Sequence, residues 1–294
     1  MSDATSPKTT GMSRTVVLPH LLRRANGLLG SVILLAALSF TLVGLLWTPY
    51  DPIEPDFLSR LQPPGAVHWL GTDEWGRDVL SRILAGARTS VFISLCSVSF
   101  ALFFGALIGA VSGFFGGWTD RVIMMLTDAL LAFPGLLMAL AFMAILGPSK
   151  WGVIFALGLA YVPTVIRLMR GSVLSVRERE FVEASRAVGD SRFYTLVMHI
   201  IPNCMAPLII MATALFGYAL LAESALSFLG LGVPPPEPTW GNMLSESRGE
   251  FAMAPWLAIF PGLFISVTLL GINLFGDALR DIFDPRMRQT GDQR

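Results

Sequence analysis

Charge is the first thing this 294-residue sequence lacks. Asp, Glu, Lys and Arg make up 14% of it, where a soluble domain carries about 25%. The deficit excludes a disordered chain, a nucleic-acid binder with a basic face and an ordinary cytosolic enzyme. The 21 basic and 21 acidic residues cancel, so net charge points to no partner. Cysteine is nearly absent. Cys96 and Cys204 both lie in or beside apolar stretches. They are too few for a disulfide framework or a cysteine-based metal site and read as small buried hydrophobes. His20, His68 and His199 are scattered, and no H-E-x-x-H occurs, so an intramembrane hydrolase finds no support. The two lysines, Lys8 and Lys150, follow Pro7 and Ser149. Neither sits in G-x-x-x-x-G-K-[ST], so the chain has no phosphate loop of its own.

What is present is apolar surface, 53% of all residues. A helix needs about 20 apolar residues to cross a bilayer. Runs free of charged residues predict six such helices, near 27–47, 89–116, 122–146, 152–169, 206–231 and 256–278. The first is too long for a signal-peptide core and is followed by TPYDPIEP rather than a small-residue cleavage site, so it reads as a retained anchor. Six crossings put both termini on one side. With the N-terminus inside, fifteen Lys and Arg fall on inner segments and six on outer ones, so the positive-inside rule places both termini in the cytoplasm. Trp47, Trp118, Trp151 and Trp256 fall at predicted helix ends, where interfacial aromatics belong.

Two loops are long for a small bundle. The outer one, 48–88, carries an amphipathic helix with Val79, Leu80, Ile83, Leu84 and Ala87 on one face and Thr72 or Asp73 as its cap. Such a helix most simply lies flat on the membrane. It either packs to position the second span or touches a solute-delivery partner. The inner loop, 170–205, predicts two capped helices. Ser175 and Glu178 make an S-x-x-E capping box. Phe181, Ala184, Ser185 and Val188 share a face, and Gly189 suits a left-handed helix end. Asp190 or Ser191 caps the second helix, whose Phe193, Leu196, Val197, Ile200 and Ile201 follow helical spacing until Pro202 breaks it. A helix, a tight glycine turn and a second helix form a rigid knob suited to docking another protein.

Glu183-Ala184-Ser185, then Gly189, then Ile201-Pro202 resembles the EAA loop of ABC importer permeases: EAA, three residues, Gly, nine residues, I-x-L-P. Ser185 replaces the second Ala, His199 stands where Ile is expected, and Ile201 replaces Leu. WLGTDEWGRDVLSRILAGARTS, GGWTDRVIMMLTDALLAFPGLLMAL, ESALSFLGLGVPPPEPTWGNML and LFGDALRDIFDPR resemble segments of the dipeptide/oligopeptide/nickel permeases, in order, from about residue 20 to 288.

The resemblance implies an all-α integral membrane protein of the type I ABC importer permease fold, with one extra N-terminal span before a five-helix core. It divides the chain into a cytoplasmic tail (1–26), an anchor (27–47), an extracytoplasmic loop (48–88), a permease core (89–280) with the coupling loop 170–205, and a cytoplasmic tail (281–294). It implies a second homologous permease, two ABC ATPases that hold the ATP and Mg, an extracytoplasmic solute-binding protein and a bacterial inner membrane. Lipid is the surrounding partner; nucleic acid is not one. No cofactor or metal is expected on this chain, and no catalysis. Glu183, Ala184, Ser185, Gly189, Ile201 and Pro202 would couple to the ATPase. The expected cargo is a di- or oligopeptide or a modified peptide, with nickel or another small solute as the alternative.

Charges within spans need an account, since each costs about 2.5–3.5 kcal/mol at the bilayer centre on insertion scales. Asp128 and Asp277, the latter one turn after Asn273, suit interface depth, bonded to Arg or to a neighbouring helix. Glu223 lies deeper, with Ser227 one turn beyond on the same face. That polar row either lines a pathway or makes bonds between helices or subunits. Pro134, Pro163 and Pro261 predict kinks. An ion-coupled secondary transporter would need inverted repeats. None is visible, and the large inner loop has no role in that scheme.

Overall fold

The computed structural model describes residues 25–283. Among them the regular structure is helical, including a 3-10 turn at Phe57–Ser59, with a single isolated bridge between Thr72 and Asp78 in the loop before the second helix. The anchor is α1, Ala25–Leu46. A loop leads to α2, Val79–Phe115, then α3, Gly117–Leu131, and α4, Gly135–Leu146. Next come α5, Lys150–Arg177, and the short α6, Glu180–Val188. A composite run, α7, joins one turn at Arg192–Tyr194, a π-helix at Thr195–Ile200 and a turn at Ile201–Asn203. Then follow α8, Met205–Phe228, α9, Trp240–Glu246, and α10, Trp256–Phe283. The proposed tails 1–26 and 281–294 lie almost wholly outside the described residues.

Among the described residues, five helices are long and apolar enough to cross a membrane, or six crossings if α3 and α4 count as one. The expected single span over 122–146 is instead two helices bent by 92°. Pro134 starts α4, and because proline has no N–H to continue the ladder, the bend falls just before it. Pro163 and Pro261, by contrast, lie inside α5 and α10.

The outer amphipathic helix is not a separate surface element. It is the first turns of α2, which runs unbroken for 37 residues. Its cap is Asp78, whose carboxylate accepts from the Ser81 N–H at 2.8 Å, not Thr72 or Asp73. Val79, Ile83, Leu84 and Ala87 are buried, so these turns serve packing.

A seam of glycines joins α2 to α5. A Cβ on Gly105 would lie 2.5 Å from the Val165 Cβ, one on Gly109 2.6 Å from the Ile166 carbonyl oxygen, and one on Gly113 2.9 Å from that of Arg170. Glycine every fourth residue lets two backbones approach closely, the usual route to tight packing in lipid, where no hydrophobic force separates helices from solvent. α1 is seated in the same way: a Cβ on Gly44 would strike the Leu84 carbonyl, and one on Gly271 of α10 would strike Ile33.

Candidate functional site

The end of the bundle that carries α6 is built from α5 outward. α5 does not stop near 169 but continues to Arg177. Ser175 is therefore a helical residue, and Glu178 caps the end of α5. The expected Ser175–Glu178 box does not form. α6 instead starts after Arg179, with no side-chain cap. It ends as the glycine predicts: Gly189 is left-handed at φ 99°, its N–H reaching the Arg186 carbonyl at 3.1 Å. Ser191 caps the next turn, accepting from the Tyr194 N–H at 3.2 Å, while Asp190 bonds elsewhere. Pro202 does not end the run. A π-helix precedes it, and the helical path continues to Asn203 before Cys204 turns it.

α6 divides its residues differently from the expected stripe. Val182 and Ser185 are buried, while Phe181, Glu183, Ala184, Val188 and Gly189 face outward. Val188 is 85% exposed. Val182, Leu196, Ile200 and Cys204 join one core cluster with Val173 and Val176 of α5 and Leu208 of α8. Ile201 is only partly buried against it. The knob is thus fused to the bundle on its inner side and open on its outer side. Burial pushes the Cys204 thiol up to about 11.

Ion pairs weld the same end to the α2–α5 seam. Arg170 donates twice to Asp120 of α3, the second bond at 2.6 Å, and Ser112 of α2 donates to the same carboxylate at 2.6 Å. Arg177 donates to the Gly113 carbonyl at 2.8 Å. A cleft of about 680 Å³ separates Phe114 and Phe115 from the Glu183 and Arg186 side of α6.

The remaining predicted polar residues scatter. Asp128 pairs with Arg167 at 2.5 Å. Asn273 and Asp277 are exposed on α10. Glu223 is fully buried. It accepts from Ser227 at 2.9 Å and lies against Ser224 at 3.5 Å, with Ser90 of α2 and Thr239 also in hydrogen-bond contact. These contacts tie α8 to α2 and to the residue that starts α9.

At the opposite end lies a cluster that sequence reasoning missed. Glu246 of α9 accepts from Arg77 at 3.2 Å and Arg82 at 2.8 Å, and Asp73 holds both arginines. The Arg82 side chain is 1% exposed. Trp240 is buried and donates to the Ile83 carbonyl at 3.1 Å. Glu237 pairs with Lys150 and accepts from Thr89 at 3.0 Å. The only signal was the concentration of charge just before the second span; the partners lie more than 140 residues further on.

Long apolar helices, a welded core and a protruding helix–glycine turn define a multi-span membrane protein. A family model described as "Binding-protein-dependent transport system inner membrane component" matches residues 105–289, and the chain belongs to that family. It is a permease subunit of the inner membrane, working with a binding protein, in a system whose ATP is hydrolysed by other subunits. The chain is 42% identical to a dipeptide transport system permease protein of Alkalihalophilus pseudofirmus, over 89% of this chain and 86% of that one. It is 43% identical to a di/tripeptide transport system permease protein of Pseudomonas aeruginosa, over 90% of each. It is 39% identical to a glutathione transport system permease protein of Pectobacterium atrosepticum, over 87% and 85%. Its fold resembles a chain from the inward-facing MetNI methionine ABC transporter, with a TM-score of 0.58 at 13% identity, covering 69% of this chain and 97% of that one.

Proposed function

We propose that this chain forms half of a peptide-import pathway, paired with a second homologous permease and driven by two ABC ATPases that grip α6. The observation that carries the coupling role is the outward face of α6: Phe181, Glu183, Ala184, Val188 and Gly189 are exposed at the tip of a helix end that is otherwise fixed into the core. Ser185 is buried behind that face, Ile201 packs against the same core, and Pro202 is exposed beside it. Closure of the ATPases on ATP and Mg would push the two knobs together and open the bundle outward; hydrolysis would reverse it.

The excess of Lys and Arg on the segments around α6 supports placing that end in the cytoplasm. The buried charge cluster at Glu246 then faces the binding protein's side. Relatives named for dipeptides, di/tripeptides and glutathione support a short peptide as cargo.

The test is uptake by the reconstituted four-subunit complex with its binding protein. Labelled dipeptide should enter with ATP and not with an imposed proton or sodium gradient. Cysteine placed at Val188 should cross-link to an ATPase subunit. Gradient-driven uptake, or a Val188 position that never meets the ATPase, would overturn the reading. Thermal stabilisation of the binding protein by nickel chelates and not by peptides would move the cargo to the alternative.

A further inference from the structure

Two arginines one turn apart on α5 are held in opposite ways. Arg170 is committed. It makes two bonds to Asp120, that carboxylate has Ser112 as a third partner, and both charged side chains are mostly covered. Arg167 makes one bond, from Nη2 to Oδ1 of Asp128 at 2.5 Å. Its side chain is 56% exposed and that of Asp128 is 58% exposed.

At 1.5 Å per residue, Arg167 lies about 15 Å before Arg177, well inside α5, and Asp128 sits in the last turn of α3, where that helix meets the bend before Pro134. An open guanidinium and carboxylate on a spanning helix belong on a surface that meets water or protein rather than lipid. The neighbouring surface agrees. An open concavity of about 510 Å³ starts at Arg167 and continues past Ser172, Ser175, Arg179 and Asn203. Leu168, Val176 and Pro207 complete its lining, so two guanidiniums sit beside apolar surface.

We propose that the Arg167–Asp128 pair is a transient contact for the charged ends of a zwitterionic peptide as it passes through the inner half of the pathway. The peptide carboxylate takes Arg167 and the peptide ammonium takes Asp128. One ion pair is exchanged for two, and no net charge enters the membrane. A single bond between two exposed partners can open for this exchange; the Arg170–Asp120 clamp, with its three bonds, stays closed and keeps α3 against α5. The concavity beside Arg167 gives the peptide body somewhere to lie while its carboxylate is held. This inference rests on the peptide-import reading above and adds the residues that would handle the cargo.

The experiment uses the complete reconstituted complex with its loaded binding protein, and reads dipeptide uptake and ATP hydrolysis in the same vesicles. Arg167→Gln should lower uptake per ATP about tenfold while hydrolysis stimulated by the loaded binding protein stays within about twofold of wild type, since tenfold corresponds to about 1.4 kcal/mol of lost contact. The double variant Asp128→Asn with Arg167→Gln removes both charges together and leaves neither unpaired. It should show the same split. Wild-type uptake per ATP in the double variant would overturn the proposal. So would hydrolysis and uptake falling together, or failure of both variants to assemble, because the pair would then serve the fold alone. A wild-type complex that carries no dipeptide would sink the peptide reading and this inference with it, an outcome visible before any variant is made.

Discussion

Ser185 donates a 2.7 Å hydrogen bond to Asp190 across the left-handed turn at Gly189, and a second contact of 3.1 Å ties the same hydroxyl to Thr195. The one departure from the EAA pattern inside α6 is therefore the residue that stitches the turn to the start of α7. Alanine at this place could make neither bond.

Ser185→Ala should loosen the knob without removing it. The loss of a buried hydrogen bond costs about 1 kcal/mol. Thermal unfolding of the purified complex should begin a few degrees lower, with uptake retained at ambient temperature. Unchanged unfolding would mean that the bond contributes nothing.

Gly189 should show a graded series. No atom lies within 4 Å of a Cβ built there, so a substitution meets only backbone strain at φ 99°. A non-glycine residue in the left-handed region costs roughly 1–2 kcal/mol, and Asn tolerates it best. Gly189→Asn should keep much of the uptake and Gly189→Val should lose most of it, at equal amounts of assembled complex. Equal effects from the two would point to size rather than conformation.

Gly109→Val should fail earlier, at assembly. The added Cβ would sit 2.6 Å from the Ile166 carbonyl oxygen, on backbone that has no room to give. Overpacking of this kind costs typically about 1–3 kcal/mol. The readout is the amount of complex recovered from membranes, with Gly171→Ala on α5, which meets no atom, as the comparison.

Glu246→Ala should destabilise the opposite end strongly. Removing one partner of a buried ion pair costs about 3–5 kcal/mol, because the other charge stays behind uncompensated. Here Arg82 is left 1% exposed with Asp73 at 3.4 Å as its remaining acid. Protease sensitivity of the 47–78 loop should rise. Resistance equal to wild type would show that Asp73 suffices.

Cys204 should ignore maleimide in the folded complex at neutral pH. The reagent needs thiolate, and burial holds this thiol at about 11, so the neutral form persists until pH rises through that value. Cysteine introduced at Val188 should react at once, and docking of the ATPases should protect it. Rapid labelling of Cys204 would mean that the inner side of the knob opens.

Much of this was legible in the sequence because the signals were local. Uncharged runs mark spans wherever they occur, and a glycine that ends a helical pattern marks a turn. What stayed hidden depends on distant partners. Ser175 and Glu178 fit a helix start by spacing, but α5 packs against α2 as far as Arg177, so Ser175 lies inside the helix and Glu178 closes it. Gly105, Gly109 and Gly113 read simply as apolar residues until Val165, Ile166 and Arg170 stand opposite them. Arg82 lies off the apolar face of the expected amphipathic helix, and its burial depends on Glu246 arriving from α9. The bend before Pro134 exceeds a kink because α3 ends at Leu131 and a new helix starts at Gly135.

The glycine seam has a mechanical result. With α2 and α5 in backbone contact, and with Lys150, Thr89 and Glu237 joined at the far end, the pair behaves as a single stiff beam from knob to outer rim. Motion imposed near Arg177 then reaches Lys150 with α2 and α5 moving as one body, not sliding past each other.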